Sequence, residues 1–230
     1  MYTVLVPVYN EEEILVQNTE RLAQYLDGLN RPYEIIILSN GSTDATEPKG
    51  RGLGIKSVRF FAIPERGVGI AFKKGVSEAR GDYIISIDID LTTDLKFIPE
   101  ALKLLEGHHI VIGSKKVGRE KRSLLRVLLS GGYIFLVKIL LGMDYLDYSI
   151  GAKAYRKGEV VEALEALDRG SSYVIEIIYR ARAMKKKIIE IPVFCEDSRK
   201  SKFNLASEVL HRFKNLLRLF FRARIKGMVK

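Results

Sequence analysis

The 230-residue sequence has no tryptophan, one cysteine and three histidines. A single thiol, Cys195, excludes an internal disulfide and fits a reducing compartment. His108, His109 and His211 lack the spacing of a zinc site, so no structural metal is expected. No Gly-rich loop ending in Lys-Ser/Thr is present, which argues against a P-loop nucleotidase. No Ser-His-Asp or Cys-His set stands out. Gly67-Val68-Gly69 and Gly75 miss the spacing of a dinucleotide fingerprint. The longest apolar run, residues 127–143, is broken by Gly131-Gly132 and carries Lys138. It falls short of the roughly 20 apolar residues a spanning helix needs. Residues 3–8 follow Met1 without a basic leader, so no signal peptide is expected.

Acidic residues are missing from one place in particular. Between His211 and Lys230 there are seven Lys or Arg and no Asp or Glu, against a net charge of +10 for the chain. Such a concentration implies an anionic partner: nucleic acid, anionic lipid or a phosphorylated substrate. Val209, Phe213, Leu216, Leu217, Phe220 and Phe221 recur there at helical spacing. Lys214, Arg218, Arg222 and Lys226 fall on another face. That pairing predicts an amphipathic helix lying in a membrane interface. A nucleic-acid binder would interleave aromatics with the basic face, so no nucleic-acid partner is expected.

Upstream, short apolar segments alternate with helical periodicity. Strands are predicted at residues 3–8, 34–38, 57–63, 83–87, 109–113 and 188–193. Helices are predicted at 11–29, 67–80, 95–106, 173–184 and 205–224, with two short apolar helices around Gly131-Gly132 within 124–141. Strands that are apolar throughout predict a mainly parallel α/β sheet with helices on both faces. No repeat or low-complexity linker intervenes. The expected organisation is a domain over residues 1–204 and a basic amphipathic helix over 205–230.

Ligands of such sheets sit beyond the carboxyl ends of the strands. Polar loops fall there: Tyr9-Asn10-Glu11, then residues 39–44, then Asp88-Ile89-Asp90. In an extended segment residues i and i+2 point the same way, so Asp88 and Asp90 offer two hard oxygen ligands on one side. Mg²⁺ or Mn²⁺ with phosphate oxygens suits that pair. Asp-x-Asp alone is commonplace; its place after an apolar strand, beside two other polar loops, is what gives it meaning.

Several segments together resemble a known family. Val6-Pro7-Val8-Tyr9-Asn10-Glu11-Glu12, Ser39-Asn40-Gly41-Ser42-Thr43-Asp44, Arg66-Gly67, Ala79-Arg80-Gly81-Asp82 and Asp88-Ile89-Asp90-Leu91 are similar to the GT-A glycosyltransferases of family two. Within that family the chain resembles the polyprenyl-phosphate (dolichyl-phosphate) mannose and glucose synthases. It continues through Gly113-Ser114-Lys115, Gly151 to Lys157, Glu176 to Ala181, Glu190 to Val193 and Ser201-Lys202. It implies a GT-A, Rossmann-like fold.

The resemblance also implies roles. Pro7, Tyr9 and Glu11 would line the base and ribose pocket, with Ser39 and Asn40 where relatives have acids. Asp88 and Asp90 would hold the metal and donor diphosphate, and Thr92 stands at a metal-contacting position. Lys115, Arg126, Arg199 and Lys202 would hold phosphate. The implied reaction moves a hexose from a nucleotide-sugar, GDP-mannose favoured over UDP-glucose, to dolichyl or polyprenyl phosphate with inversion. It would run at the cytoplasmic face of a membrane on a peripheral enzyme. A family-two transferase with another glycan or lipid acceptor is the alternative. Such enzymes usually need a carboxylate base where this sequence has Ser171-Ser172-Tyr173.

Overall fold

The computed structural model describes residues 1–115, 124–195 and 205–225. Seven strands form one sheet: β1 (Tyr2–Val8), β2 (Tyr33–Asn40), β3 (Val58–Ile63), β4 (Tyr83–Ser86), β5 (Ile110–Ser114), β6 (Lys153–Arg156) and β7 (Ile188–Pro192). The helices are α1 (Leu15–Asp27), α2 (Thr46–Arg51), α3 (Val68–Glu78), α4 (Phe97–Leu104), α5 (Leu124–Leu141), α6 (Lys157–Val161), α7 (Tyr173–Ala183) and α8 (Leu205–Ile225).

The strand order is β3-β2-β1-β4-β6-β5-β7. All neighbours are parallel except β6, which runs antiparallel to both β4 and β5. Side chains alternate across the sheet and so build two cores. Val4, Val6, Ile35, Ile37 and Ile85 meet α1 and α4 through Leu15, Leu22, Leu26, Phe97 and Ile98. Leu5, Ile36, Leu38, Ile84 and Ile112 meet the other helices through Phe72, Val76, Val137, Ile177 and Leu216. Burial on both faces explains why the strands read as continuous apolar runs.

Four features depart from the sequence-based expectation. Residues 124–141 form one 18-residue helix, not two. Each glycine costs a helix only about 1 kcal/mol relative to Ala. Val137, buried outright, and Leu141 anchor α5 in the core and outweigh that cost. The sheet also contains the antiparallel β6, and β2 continues through Ser39 and Asn40 where a loop was expected. Finally, the apolar stripe of α8 is divided. Leu216 and Leu219 are buried, with Phe220 packed beside them, while Val209, Leu210, Phe213 and Phe221 face solvent.

Candidate active site

The strand order reverses between β1 and β4, with β2 on one side and β6 on the other, and a crevice opens at such a switch point. Its first wall is the joined loops after β1 and β2. Asn10 adopts the left-handed conformation (φ 54), which Asn tolerates. Its side chain accepts from the Thr43 amide at 2.7 Å, and its own amide donates to Ser42 Oγ at 3.1 Å. The Glu11 amide donates to Thr46 Oγ1 at 2.8 Å, and Glu12 Oε2 accepts from the Ala45 amide at 2.9 Å. Gly41 (φ 72) passes so close to Arg66 that a Cβ would lie 3.0 Å from its nitrogen. The Arg66 guanidinium stacks 4.1 Å from the centre of the Tyr9 ring.

Ser39 and Asn40 stand in this wall as braces. Ser39 is buried and donates to Ser42 Oγ at 2.9 Å. Asn40 donates to the Val8 carbonyl at 2.8 Å and accepts from the Gly67 amide at 3.2 Å. Pro7, Tyr9 and Glu11 are partly exposed along the same edge.

Asp88 and Asp90 follow β4. Between them Ile89 is buried, and its carbonyl accepts from Asn18 Nδ2 at 2.9 Å, which fixes the turn from α1. Crowding by protein atoms pushes the Asp88 carboxyl up to about 6, the Asp90 carboxylate adds to this, and Glu11 contributes further. The Gly151 amide and Lys153 pull the other way. The Asp88 side chain remains open to water on the cleft side, which weakens the upward push. Thr92 donates to Asp90 Oδ1 through its amide (3.2 Å) and hydroxyl (3.0 Å), and Cys195 Sγ reaches that hydroxyl at 3.8 Å. Thr92 thus orients Asp90.

A divalent cation fits two carboxylates facing one cleft, because it relieves their mutual repulsion. Among the described residues no group of three or more His, Cys, Asp or Glu could hold a metal ion. Asp88 and Asp90 would therefore need water and substrate phosphate to complete a shell, the usual habit of Mg²⁺.

The second wall comes from β5, β6 and the segment before β6. Ser86 pairs with Lys153, and Lys153 with Ile112, so the ends of β4 and β5 share one edge. Lys115 follows β5 there, two strand spacings or roughly 10 Å from the β4 end. It is buried, and its amide donates to Asp147 Oδ2 at 3.2 Å. The Gly151 amide donates to Asp88 Oδ2 at 3.3 Å. Arg199 and Lys202 lie outside the described residues, as does the side chain of Arg126.

Sequence reasoning assigned no role to Arg66, Asp147, Gly151, Lys153 or Glu190. The Arg-Gly pair after β3 was the available signal for Arg66. The family-like segments Gly151 to Lys157 and Glu190 to Val193 were the signals for Gly151, Lys153 and Glu190, Asp147 had none, and only the antiparallel return of β6 reveals how they connect.

A mainly parallel α/β sheet with a dicarboxylate at its switch point fits a GT-A transferase domain. The chain belongs to glycosyl transferase family 2, whose description matches residues 3–164. It is 34% identical over 200 residues to the dolichol-phosphate mannosyltransferase of Pyrococcus furiosus, covering 83% of this chain and 55% of that protein. It is 29% identical to the undecaprenyl-phosphate 4-deoxy-4-formamido-L-arabinose transferase of Photorhabdus laumondii, with 83% and 58% covered. The chain thus spans little more than half the length of these curated relatives. Among solved structures it resembles glucosyl-3-phosphoglycerate synthase of Mycobacterium tuberculosis with UDP (TM-score 0.71, 20% identity, covering 96% of this chain and 80% of that one). The same enzyme with Mn²⁺, UDP-glucose and phosphoglyceric acid gives a TM-score of 0.68 at 18% identity, over 96% and 78%. At that identity the likeness concerns the fold.

Proposed function

We propose that this domain transfers a hexose from a nucleotide-sugar, GDP-mannose in first place and UDP-glucose in second, to dolichyl or another polyprenyl phosphate. The acceptor's phosphate oxygen attacks the anomeric carbon, the bond from that carbon to the diphosphate breaks, and the nucleoside diphosphate leaves with inversion. A phosphate monoester is already anionic at neutral pH and needs no base to deprotonate it.

The observation that carries this reading is the state of the carboxylates around the start of α7. Asp168 accepts from the amides of Gly170 (2.9 Å) and Ser172 (3.1 Å), and from His211 (3.0 Å) and Asn215 (3.1 Å) of α8. Glu176 accepts from the Asp168 amide at 2.6 Å and from Arg222 at 2.5 Å. Both are committed to structure, which favours an acceptor that needs no general base. The names of the two curated relatives, each a transferase to or from a polyprenyl phosphate carrier, support the same acceptor class.

Tyr9, Glu11 and Pro7 would line the nucleoside pocket, with Ser39 and Asn40 holding its wall. Asp88 and Asp90, steadied by Thr92, would hold Mg²⁺ or Mn²⁺; what the ion supplies when bound is neutralisation of the diphosphate charge. Lys115, Arg126, Arg199 and Lys202 would grip the phosphates and bring the two anions together. Among the described residues no helix is long and apolar enough to cross a membrane. Exposed Phe135 and Ile139 on α5, and Leu210 and Phe213 on α8, support peripheral contact with the bilayer, which this reading places on the cytoplasmic side.

The test is a panel of nucleotide-sugars incubated with polyprenyl phosphate, reading lipid-linked product. GDP-mannose is expected to give most product. Transfer only to a glycan or a free sugar would overturn the acceptor assignment.

A further inference from the structure

Lys153 opens β6 and is 1% exposed. Its ammonium donates to main-chain carbonyls: Ile150 at 2.9 Å, Gly113 at 3.3 Å and Ala152 at 3.4 Å. Burial lowers its pKa from 10.5 to about 8, against the pull of Asp147, Glu190 and Asp88. A buried charge of this kind is costly unless its partners are complete, and removing one partner alone destabilises what is left. The burial itself does not account for a lysine here.

Its partners do. Gly113 lies two residues before Lys115, and Ile150 and Ala152 flank Gly151, whose amide meets Asp88. The same segment is held from the other side by carboxylates. Asp147 accepts from the amides of Lys115 (3.2 Å), Ser149 (2.8 Å) and Ile150 (3.1 Å). Glu190 on β7 accepts from the amides of Leu146 (3.0 Å) and Asp147 (2.9 Å). One ammonium and two carboxylates thus lock residues 146–153 to the ends of β4 and β5.

We propose that Lys153 is a positioning residue for sugar transfer, clipping Gly113 to Ile150 and Ala152 and so fixing the spacing between Asp88 and Lys115. This rests on the proposed function only in taking those two side chains to grip the donor diphosphate from opposite walls. Lys153 itself touches no substrate. It acts through the backbone, by keeping the distance across the cleft constant while the diphosphate is released.

The variants Lys153→Met and Lys153→Arg test it, with three readouts on the full chain. Lys153→Met strands carbonyls that the ammonium holds, so it is expected to lower the melting temperature while still melting cooperatively. It should weaken binding of Mn²⁺ with UDP or GDP, measured calorimetrically without acceptor, about tenfold, the usual effect of losing an outer-shell partner. It should lower kcat about 100-fold, the scale of a misplacement near 1 Å, and leave the acceptor KM unchanged. Lys153→Arg, which keeps charge and donors, should recover most of both losses. Wild-type binding and kcat in Lys153→Met would overturn the proposal. So would losses that Lys153→Arg does not recover although it restores the melting temperature. If Lys153→Met does not fold, Asp147→Asn takes its place: a similar loss of binding and kcat supports the clip, and unchanged values overturn it. If the wild type transfers to no polyprenyl phosphate, the acceptor assignment fails, and the Mn²⁺–nucleotide titration still decides the role of Lys153.

Discussion

Gly151 and Asp88 are in contact across 63 residues of sequence: the glycine amide lies 3.3 Å from Oδ2, and a Cβ built on Gly151 would stand 2.5 Å from Oδ1. Any side chain at 151 must displace the carboxylate. Gly151→Ala should therefore lower kcat about 100-fold, as expected for a misplaced group, with a stability cost of about 1–3 kcal/mol from overpacking. Gly158→Ala is the control, because a Cβ there meets nothing within 4 Å. Initial rates and thermal melts of both variants check this; equal rates would show that Asp88 tolerates the shift.

The carboxyl of Asp88, raised from 3.8 to about 6, sets a pH dependence whose sign is opposite to that of a salt-bridged acid. Folding favours the protonated form, so the metal-free protein loses stability as pH rises from about 4 through 6. A cation needs the ionised form, so metal affinity falls as pH drops below about 6. On lowering the pH from 7 to 5, the metal-free wild type should gain melting temperature relative to Asp88→Asn. Added Mn²⁺ should stabilise the wild type more at pH 7 than at pH 5. Asp90→Ala should abolish transfer and the Mn²⁺ shift while melting cooperatively, and EDTA should silence the wild type reversibly. Full turnover in EDTA would remove the metal from the proposal.

What the sequence disclosed follows from where the determinants are local. β1 and β2 are apolar on both faces, so their runs stand out without knowledge of the partners. Asp88 and Asp90 were legible because they follow such a run. β6 was not legible: Lys-Ala-Tyr-Arg is four residues with a cation at each end, and Lys153 is buried only because carbonyls of Gly113, Ile150 and Ala152 receive it. Arg66 and Tyr9 meet across 57 residues, beside a Gly41 turn that leaves little room for a Cβ against the Arg66 backbone. In α5 the glycine pair suggested a break that burial of Val137 and Leu141 overrides. Local signals yielded the layers and the dicarboxylate; pairings made by the antiparallel return did not appear in them.

Asn40 has its amide nitrogen on the Val8 carbonyl and its oxygen on the Gly67 amide, so it joins the strand ends that frame Tyr9 and Arg66. Asn40→Ala strands both main-chain groups in a buried setting, which should cost about 1–3 kcal/mol of stability. Arg66→Ala removes the stacked cation and should cost stability only about 0.5–1 kcal/mol, the range for an exposed cation–π pair. Both variants should raise the donor KM, with the acceptor KM unchanged. A rise confined to the acceptor KM would move the nucleoside pocket elsewhere.

The C-terminal helix α8 has two faces, which sets how its proposed membrane role must be tested. Inward, Leu216 and Leu219 lie in the core, Asn215 and His211 hold Asp168, and Arg222 holds Glu176. Cutting the chain after Asn204 removes those core side chains, and losing even one large buried residue costs about 2–5 kcal/mol. A truncated protein would then fail by unfolding as well as by release. Outward, Leu210 is 68% exposed and Phe213 42%, next to exposed Lys214 and Arg218. Substitutions confined to that face separate the two roles, because exposed positions change stability by only about 0.5 kcal/mol. Leu210→Asp with Phe213→Asp should abolish sedimentation with anionic vesicles and lower transfer to long-chain polyprenyl phosphate, while sparing short soluble acceptors. Lys214→Glu with Arg218→Glu should weaken vesicle binding by about 1 kcal/mol per charge, an effect that vanishes at high salt. Sedimentation of the Leu210→Asp, Phe213→Asp protein equal to wild type at both salt concentrations would show that α8 is not the contact. Phe135 and Ile139 of α5, against which α8 packs, would then be the face to substitute.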